Sequence, residues 1–365
     1  MKNARVLFAL IFVLSSLRAS YAAIEIDYTH DTFFNGGAAG SVNARAKAAL
    51  EAAVADINAV LDLSSFGAIT AAQHQVQGTN ATATVTFDFD ATYSNPSTGA
   101  AESIDMINLQ ASEIRIFVGM RVLNDTVSGA SDITLGQGGL GGFSLGIGAS
   151  SINNSDIPDA VVNASNAANP IYNRGDGPVA NNFSGTAFGG AYDVDLGVTH
   201  GNLWFDADTN NDNDFDTLTE LDADWHFDHT TAVAAGKNDF YSVALHETLH
   251  AIGYGASDSW DALVNGTEWT GAEAIAANGG SGLGLIDGGG AHLATTVTST
   301  RISDGMSQAP VMSPSITTGT RKTLTELDVA VLRDIGFSVS AVPEPSSFAL
   351  LAFVGGVATI RRRRC

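Results

Sequence analysis

The pattern of apolar residues predicts an α+β fold. Three observations carry this. Two stretches alternate apolar and polar residues, one long stretch repeats apolar residues at helical spacing, and a second helical pattern arrives only after several strands. The alternating stretches are 81–93, with Ala83, Val85, Phe87 and Phe89 on one side, and 113–123, with Ile114, Ile116, Val118, Met120 and Val122. Each reads as a strand with one buried face. The early helix spans 41–63, alanine-rich and free of Pro and Gly.

The other elements follow in order. "IEIDYTH", from Ile24, reads as an opening strand. Residues 136–203 are rich in Gly, Asn and Ser and read as long loops with short strands. Within them Gly136, Gly138 and Gly141 fit G-x-G-x-x-G, but a dinucleotide loop needs a helix directly afterwards. "GFSLGIGASSINN" follows instead, so a plain glycine loop is expected. Residues 201–206 and 223–228 read as two more strands joined by an acidic loop. A helix is expected over 238–255 with Asn238 as N-cap, then an irregular stretch to about residue 310. A helix at 323–337 closes the chain, with Thr323 and Glu326 as a capping box and Gly336 as its stop.

The ends carry sorting signals. Residues 1–22 combine Lys2 and Arg5 with an apolar core and small residues at Ser20 and Ala22, the pattern of a secretory signal peptide cleaved after Ala22. The expected mature protein therefore works outside the cytoplasm. The last residues, from Val342, run through Pro-Glu-Pro and a short apolar stretch to Arg361–Arg364 and Cys365. That apolar stretch is about 14 residues, short of the roughly 20 that a spanning helix needs. Membrane contact is expected only through this tail.

Charge narrows the partners. The chain has 39 Asp and Glu against 17 Lys and Arg. Seven of those bases and one acid lie in the two ends, which leaves 38 acids against 10 bases between them. Such a surface repels nucleic acid and anionic lipid. The single cysteine is Cys365, so the expected mature domain has no disulfide and no thiol to cap a metal.

The chemistry concentrates in "HETLHAIGYG", from His246. His246 and His250 are one helical turn apart, so both imidazoles reach one ion, and Glu247 lies beside them as a proton acceptor for a metal-bound water. Gly253 permits a tight turn that brings the chain back beneath the metal. A catalytic zinc takes three protein ligands and one open position. Downstream of the turn the candidates are Asp258, Asp261, Glu268, Glu273, Asp287 and His292, the last in a glycine-fed loop. His226 and His229, just before the motif helix, are read as surface or strand histidines.

"HETLHAIGYG", "AHL" and "PVMSPSITTGTRKTLTELDVAVLRDIGF" together resemble the metzincin metallopeptidases, nearest to leishmanolysin-like enzymes and their secreted bacterial relatives. The resemblance covers roughly 238–337 well and the earlier strands in outline. It implies a metzincin-like fold, a twisted mixed sheet with an active-site helix and an irregular C-terminal subdomain that close a zinc cleft. It implies His246, His250 and His292 as zinc ligands, Glu247 as general base, and Met312 as the methionine beneath the metal, with Met306 its rival. The shorter consensus of this group places its third ligand three residues after the glycine, where this chain has Ala256; an insertion before His292 accounts for the departure. Asp258 stays open as an alternative third ligand. The expected reaction is hydrolysis of a protein or peptide substrate, bound extended along an edge strand at "GNLWFD" or "WHFDHT". The last 24 residues or so resemble a PEP-CTERM sorting tail, which implies an exosortase-type partner and a secreted or envelope location in a Gram-negative bacterium.

These readings divide the chain into a signal peptide (1–22), an N-terminal subdomain with the zinc helix (23–253), a C-terminal subdomain with the third ligand and methionine turn (254–340), and the tail (341–365). The rival is an envelope or matrix protein whose metzincin-like domain holds metal without catalysis. One further cation is raised by the acidic loop, where Asp206, Asp208, Asn210 and Asp212 recur at the alternate spacing that suits Ca2+. Asn211 stands at the sixth position and Thr217 at the twelfth, where an EF-hand has Gly and Glu, so a solvated acidic turn is the other reading.

Overall fold

The computed structural model describes residues 23–105, 107–123, 134–175 and 177–340. The expected signal peptide and sorting tail lie outside them. In chain order the strands are β1 (Ile24–Asp27), β2 (Gln75–Asn80), β3 (Ala83–Ser94), β4 (Ala101–Ile104), β5 (Ile114–Arg121), β6 (Gly136–Leu140), β7 (Gly142–Ser151), β8 (Val179–Ala187), β9 (Gly190–Gly197) and β10 (His200–Asp206). The helices are α1 (Val42–Val60), α2 (Ile157–Tyr172), α3 (Leu218–Asp224), α4 (Phe240–Ala251), α5 (Asp258–Asp261), α6 (Ala272–Ala277) and α7 (Glu326–Asp334). Several two-residue pairings complete a mixed α+β fold.

The main sheet has the order β1-β5-β10-β6. β1, β5 and β10 run parallel, and β6 returns antiparallel along β10, with Leu203 opposite Gly138. β5 is buried along nearly its whole length, as a central parallel strand must be. Helices α1 and α4 pack side by side against this sheet. The alanines of α1 (Ala46, Ala49, Ala53) face inward with Leu50 and Ile57, and their small size lets the helix lie close to α4. One hydrophobic core runs from Ile24 to Phe337 and includes side chains on both sides of Gly253.

A second sheet is built on β3, which pairs antiparallel with β2, β4 and β7. Val85, Phe87 and Phe89 from β3 and Ala160, Val161, Ala164 and Ala168 from α2 form a separate core beneath it. The hairpin of β8 and β9 packs on α2.

Most of the expected elements are present, and four readings are corrected. Residues 136–203 are not long loops: they hold β6 to β10 and the 16-residue α2. That helix starts with Pro158 in its first turn and is rich in Ala and Asn, so its apolar stripe of small residues is easily taken for loop composition. Residues 223–228 are mostly not a strand, because Thr217 and Glu220 form a capping box that starts α3. Only Trp225–His226 pair, with Asn238–Asp239. Helix α4 is capped by Asp239, not Asn238: the Asp239 carboxylate accepts the Ser242 N–H at 3.2 Å and is itself held by Arg321 at 2.7 Å. The capping box of α7 is Thr325 with Asp328, two residues later than expected, which places the Asp328 carboxylate in the interior.

Candidate metal centre

Helix α4 presents His246 and His250 from consecutive turns, and its burial on nearly all sides fixes both rings. After Ala251 the chain turns through Gly253 (φ +111°) and Gly255 (φ +76°). Gly255 is the tighter of the two. A Cβ there would collide with the Ala291 carbonyl and stand 3.2 Å from His250 Cε1, so only glycine lets the returning loop come this close. That loop closes on itself through a bridge between Ile286 and Leu293 and carries His292 to the helix.

The three imidazoles meet. His250 Nε2 lies 3.1 Å from His246 Nε2 and 3.1 Å from His292 Nε2. His246 Nδ1 donates to the Val311 carbonyl at 2.8 Å, and His250 Nδ1 donates to the Tyr254 carbonyl at 2.7 Å. A carbonyl only accepts, so these two bonds put the ring proton on Nδ1 and leave the Nε2 lone pair facing the centre. His292 Nδ1 lies 3.4 Å from Asp287 Oδ2. Asp287 also accepts the Gly290 N–H at 2.8 Å, which fixes the carboxylate behind the ring.

Burial keeps these rings neutral. It pushes His246 well below the usual histidine range, helped by His250 beside it. Burial also takes His250 down to about 4, with His292 adding to the effect. His292 is lowered too, first by burial, while Asp287 pulls it back up. Neutral imidazoles whose unprotonated nitrogens face one another at 3.1 Å repel unless a cation lies between them. A tetrahedral zinc with bonds of about 2.0–2.1 Å would set such nitrogens roughly 3.3 Å apart. The donor set therefore fits a zinc ion.

Glu247 lies on the face of α4 turned to β6. It is 7% exposed, and desolvation pushes its carboxyl up to about 8, with a hydrogen bond from the Gly138 N–H pulling the other way. The glycines of β6 explain that approach. A Cβ on Gly138 would run into the Glu247 carbonyl, and one on Gly136 would stand 3.0 Å from Glu247 Cγ. The stretch read as a glycine loop is thus an edge strand pressed onto the motif helix.

Met312 is fully buried, next to the Val311 carbonyl that holds His246, and its own carbonyl accepts the Leu293 N–H at 2.9 Å. Met306 is 60% exposed and does not compete for that place. Asp258, the alternative ligand, starts α5 and accepts the Asn182 N–H at 2.7 Å; it does not join the three histidines. His226 pairs with Thr231 and His229 offers its carbonyl to Arg321, both away from the centre. The expected substrate edge also moves. "GNLWFD" is β10, which lies between β5 and β6, and "WHFDHT" gives only a two-residue pairing; the edge beside α4 is β6.

The acidic loop is held by its own hydrogen bonds. Asp208 accepts the N–H groups of Asp212 and Asn213, Asn210 and Asp212 accept at two-residue spacing, and Asp206 accepts from Leu123 and Asp208. Asp206 and Asp208 are buried within this turn. Among the described residues, acids and histidines converge on a common point at the three histidines and at His74, Asp88 and Asp90, and not in this loop.

Sequence reasoning missed three contributors: Gly255, Gly138, whose glycine motif pointed to a different ligand, and Asp328, whose carboxylate accepts the Val311 and Met312 N–H groups. Asp287 did stand among the candidate ligands and takes a supporting place instead. No family model, no curated protein and no solved structure matches the chain.

Proposed function

We propose that this chain is a zinc-dependent endopeptidase of metzincin type, exported by its N-terminal signal and sorted through its C-terminal tail. The observation that carries this reading is the convergence of three imidazoles, His250 Nε2 lying 3.1 Å from both His246 Nε2 and His292 Nε2, beside a buried glutamate on the helix that carries His246 and His250. When bound, a zinc ion supplies Lewis acidity and lowers the pKa of a water at its open position to about 7.

The chain's residues do the rest. His246, His250 and His292 hold the ion, oriented by the Val311 carbonyl, the Tyr254 carbonyl and the Asp287 carboxylate. Glu247 takes the proton from the attacking water and passes it to the leaving amine nitrogen, from its place on the same helix as His246 and His250. β6, paired only with β10 among the described strands, offers its outer edge to an extended peptide through main-chain hydrogen bonds. With Gly at 136, 138 and 139, that edge selects little by side chain.

The test is zinc content and casein hydrolysis on the chain lacking both ends, beside Glu247→Ala and His292→Ala. One zinc in the wild type and in Glu247→Ala, with hydrolysis only in the wild type, supports the reading. Zinc without hydrolysis in the wild type would favour a metal-stabilised envelope protein instead, and no zinc would overturn both.

A further inference from the structure

A second set of metal-ligating side chains stands on the other sheet. His74 follows a 3-10 turn (Ala71–Gln73) and directly precedes β2; Asp88 and Asp90 lie two residues apart on β3. Side chains alternate along a strand, so both carboxylates lie on the face opposite Phe87 and Phe89, which pack into the core with α2. His74 Nε2 is 2.9 Å from Asp88 Oδ1 and 3.2 Å from Asp90 Oδ1.

The backbone under these groups is fixed. The Phe89 N–H donates to the His74 carbonyl at 3.2 Å, which ties the turn to the middle of β3. β3 itself is flanked by β2 on one side and β7 on the other, with Asp88 opposite Gln75 and Gly146. Gly146 places no side chain next to Asp88, so the space beside the carboxylates is left open. The three ligand atoms converge on one point, with the Asp88 side chain 46% exposed and the His74 ring largely covered. A ring nitrogen that faces two carboxylate oxygens at this range is held there either by its own proton or by a cation shared among the three.

We propose that His74, Asp88 and Asp90 form a second divalent-cation site, separate from the three-histidine centre. One imidazole and two carboxylates make a mixed nitrogen and oxygen set that suits a first-row cation such as Zn2+ or Mn2+, with water completing the shell. All three ligands sit on or beside β3, away from α4, so the role is structural. The ion fastens the turn before β2 to β3 and stabilises the smaller sheet by binding only the folded chain.

The experiment counts metal on the full mature chain after dialysis against Zn2+, and separately against Mn2+. Two zinc ions per chain are expected, one in His74→Ala and in Asp90→Asn, and one in His246→Ala. The site retained in His246→Ala should also raise the thermal midpoint when Zn2+ is added. Asp90 is well exposed, so its Asn variant keeps the test clear if His74→Ala does not fold. A wild-type count of one that His74→Ala and Asp90→Asn leave unchanged would overturn the proposal and leave His74 as a hydrogen-bonded bridge between two carboxylates. A His246→Ala chain that binds no metal would overturn it equally. Both results leave the peptidase reading standing, because the one zinc then left to the wild type is the one the three histidines are proposed to hold.

Discussion

Asp328 holds Met312 by its backbone: Oδ1 accepts the Met312 N–H at 3.2 Å, and Oδ2 accepts the neighbouring Val311 N–H at 3.0 Å. The same segment then reaches two of the three histidines. The Val311 carbonyl takes the His246 proton, and the Met312 carbonyl takes the N–H of Leu293, next to His292. Helix α7 therefore sets the three-histidine cluster through the Val311–Met312 segment. In Asp328→Asn an amide would face donors that now meet a carboxylate, leaving buried N–H groups unsatisfied. The expected cost is about 1–3 kcal/mol of stability, with zinc affinity reduced about 10-fold or more. Denaturant unfolding of the metal-free chain and competition with a zinc chelator measure the two effects separately.

Asp287 acts on one ligand alone. Its carboxylate lies behind His292 Nδ1, so Asp287→Asn should weaken zinc binding by about 10–100-fold. Because an asparagine oxygen can still accept the Gly290 N–H, unfolding of the metal-free variant should shift by no more than about 0.5 kcal/mol. Equal zinc affinity in variant and wild type would show that His292 needs no such support.

The contact between β6 and α4 is set by a missing side chain. Gly138→Ala would push a methyl group into the Glu247 carbonyl and force the strand and helix apart. A loss of about 1–3 kcal/mol is expected, along with most of the proposed peptidase activity. Gly139→Ala is the matched control, since its nearest neighbour would be Asn202 Nδ2 at 3.9 Å. If both variants behave alike, close packing at residue 138 is not what positions Glu247.

Acid sensitivity has a source outside the centre. His200 is fully buried, its Nε2 donating to the Thr92 carbonyl at 3.1 Å, and burial lowers it from 6.5 to about 4. Below pH 6.5 the unfolded chain takes up a proton here that the folded chain refuses, so stability falls as pH drops from about 6.5 towards 4. The full effect is about 3 kcal/mol. Unfolding free energies of wild type and His200→Gln, measured across that range, should differ in slope by one proton. His246 and His250, also lowered by burial, contribute to the slope that both share in the metal-free chain.

What the sequence made legible was whatever depends on local pattern. The strict alternation of Ala83 to Phe89 gave β3, and the spacing of His246 and His250 on an apolar helix gave one face of the centre. Composition misled where small residues do the packing. α2 buries Ala160, Ala164 and Ala168, and β6 is mostly glycine because α4 lies against it, so both looked like loop. Caps were placed one or two residues off at Asn238 and Thr323. Thr325 competes with Thr323, and Asp239 with Asn238, and only the pairing of Asp328 with the methionine segment and of Asp239 with Arg321 decides between them. Asp287 stood among the candidate ligands because its distance from His292 along the chain says nothing about which atom faces the metal.

β6 and β7 are separated by Gly141 alone, so the rim of the centre and the central pairing of the smaller sheet are one piece of chain. The joint is anchored on the main-sheet side, where the Gly141 N–H donates to the His200 carbonyl at 2.8 Å, while His200 reaches over to Thr92 on β3. The smaller sheet is consequently not an appendage that can be trimmed. Truncations or domain swaps with junctions between residues 75 and 197 should pull the rim strand away from Glu247. A minimal version of this molecule has to keep both sheets or lose the edge along which a peptide would lie.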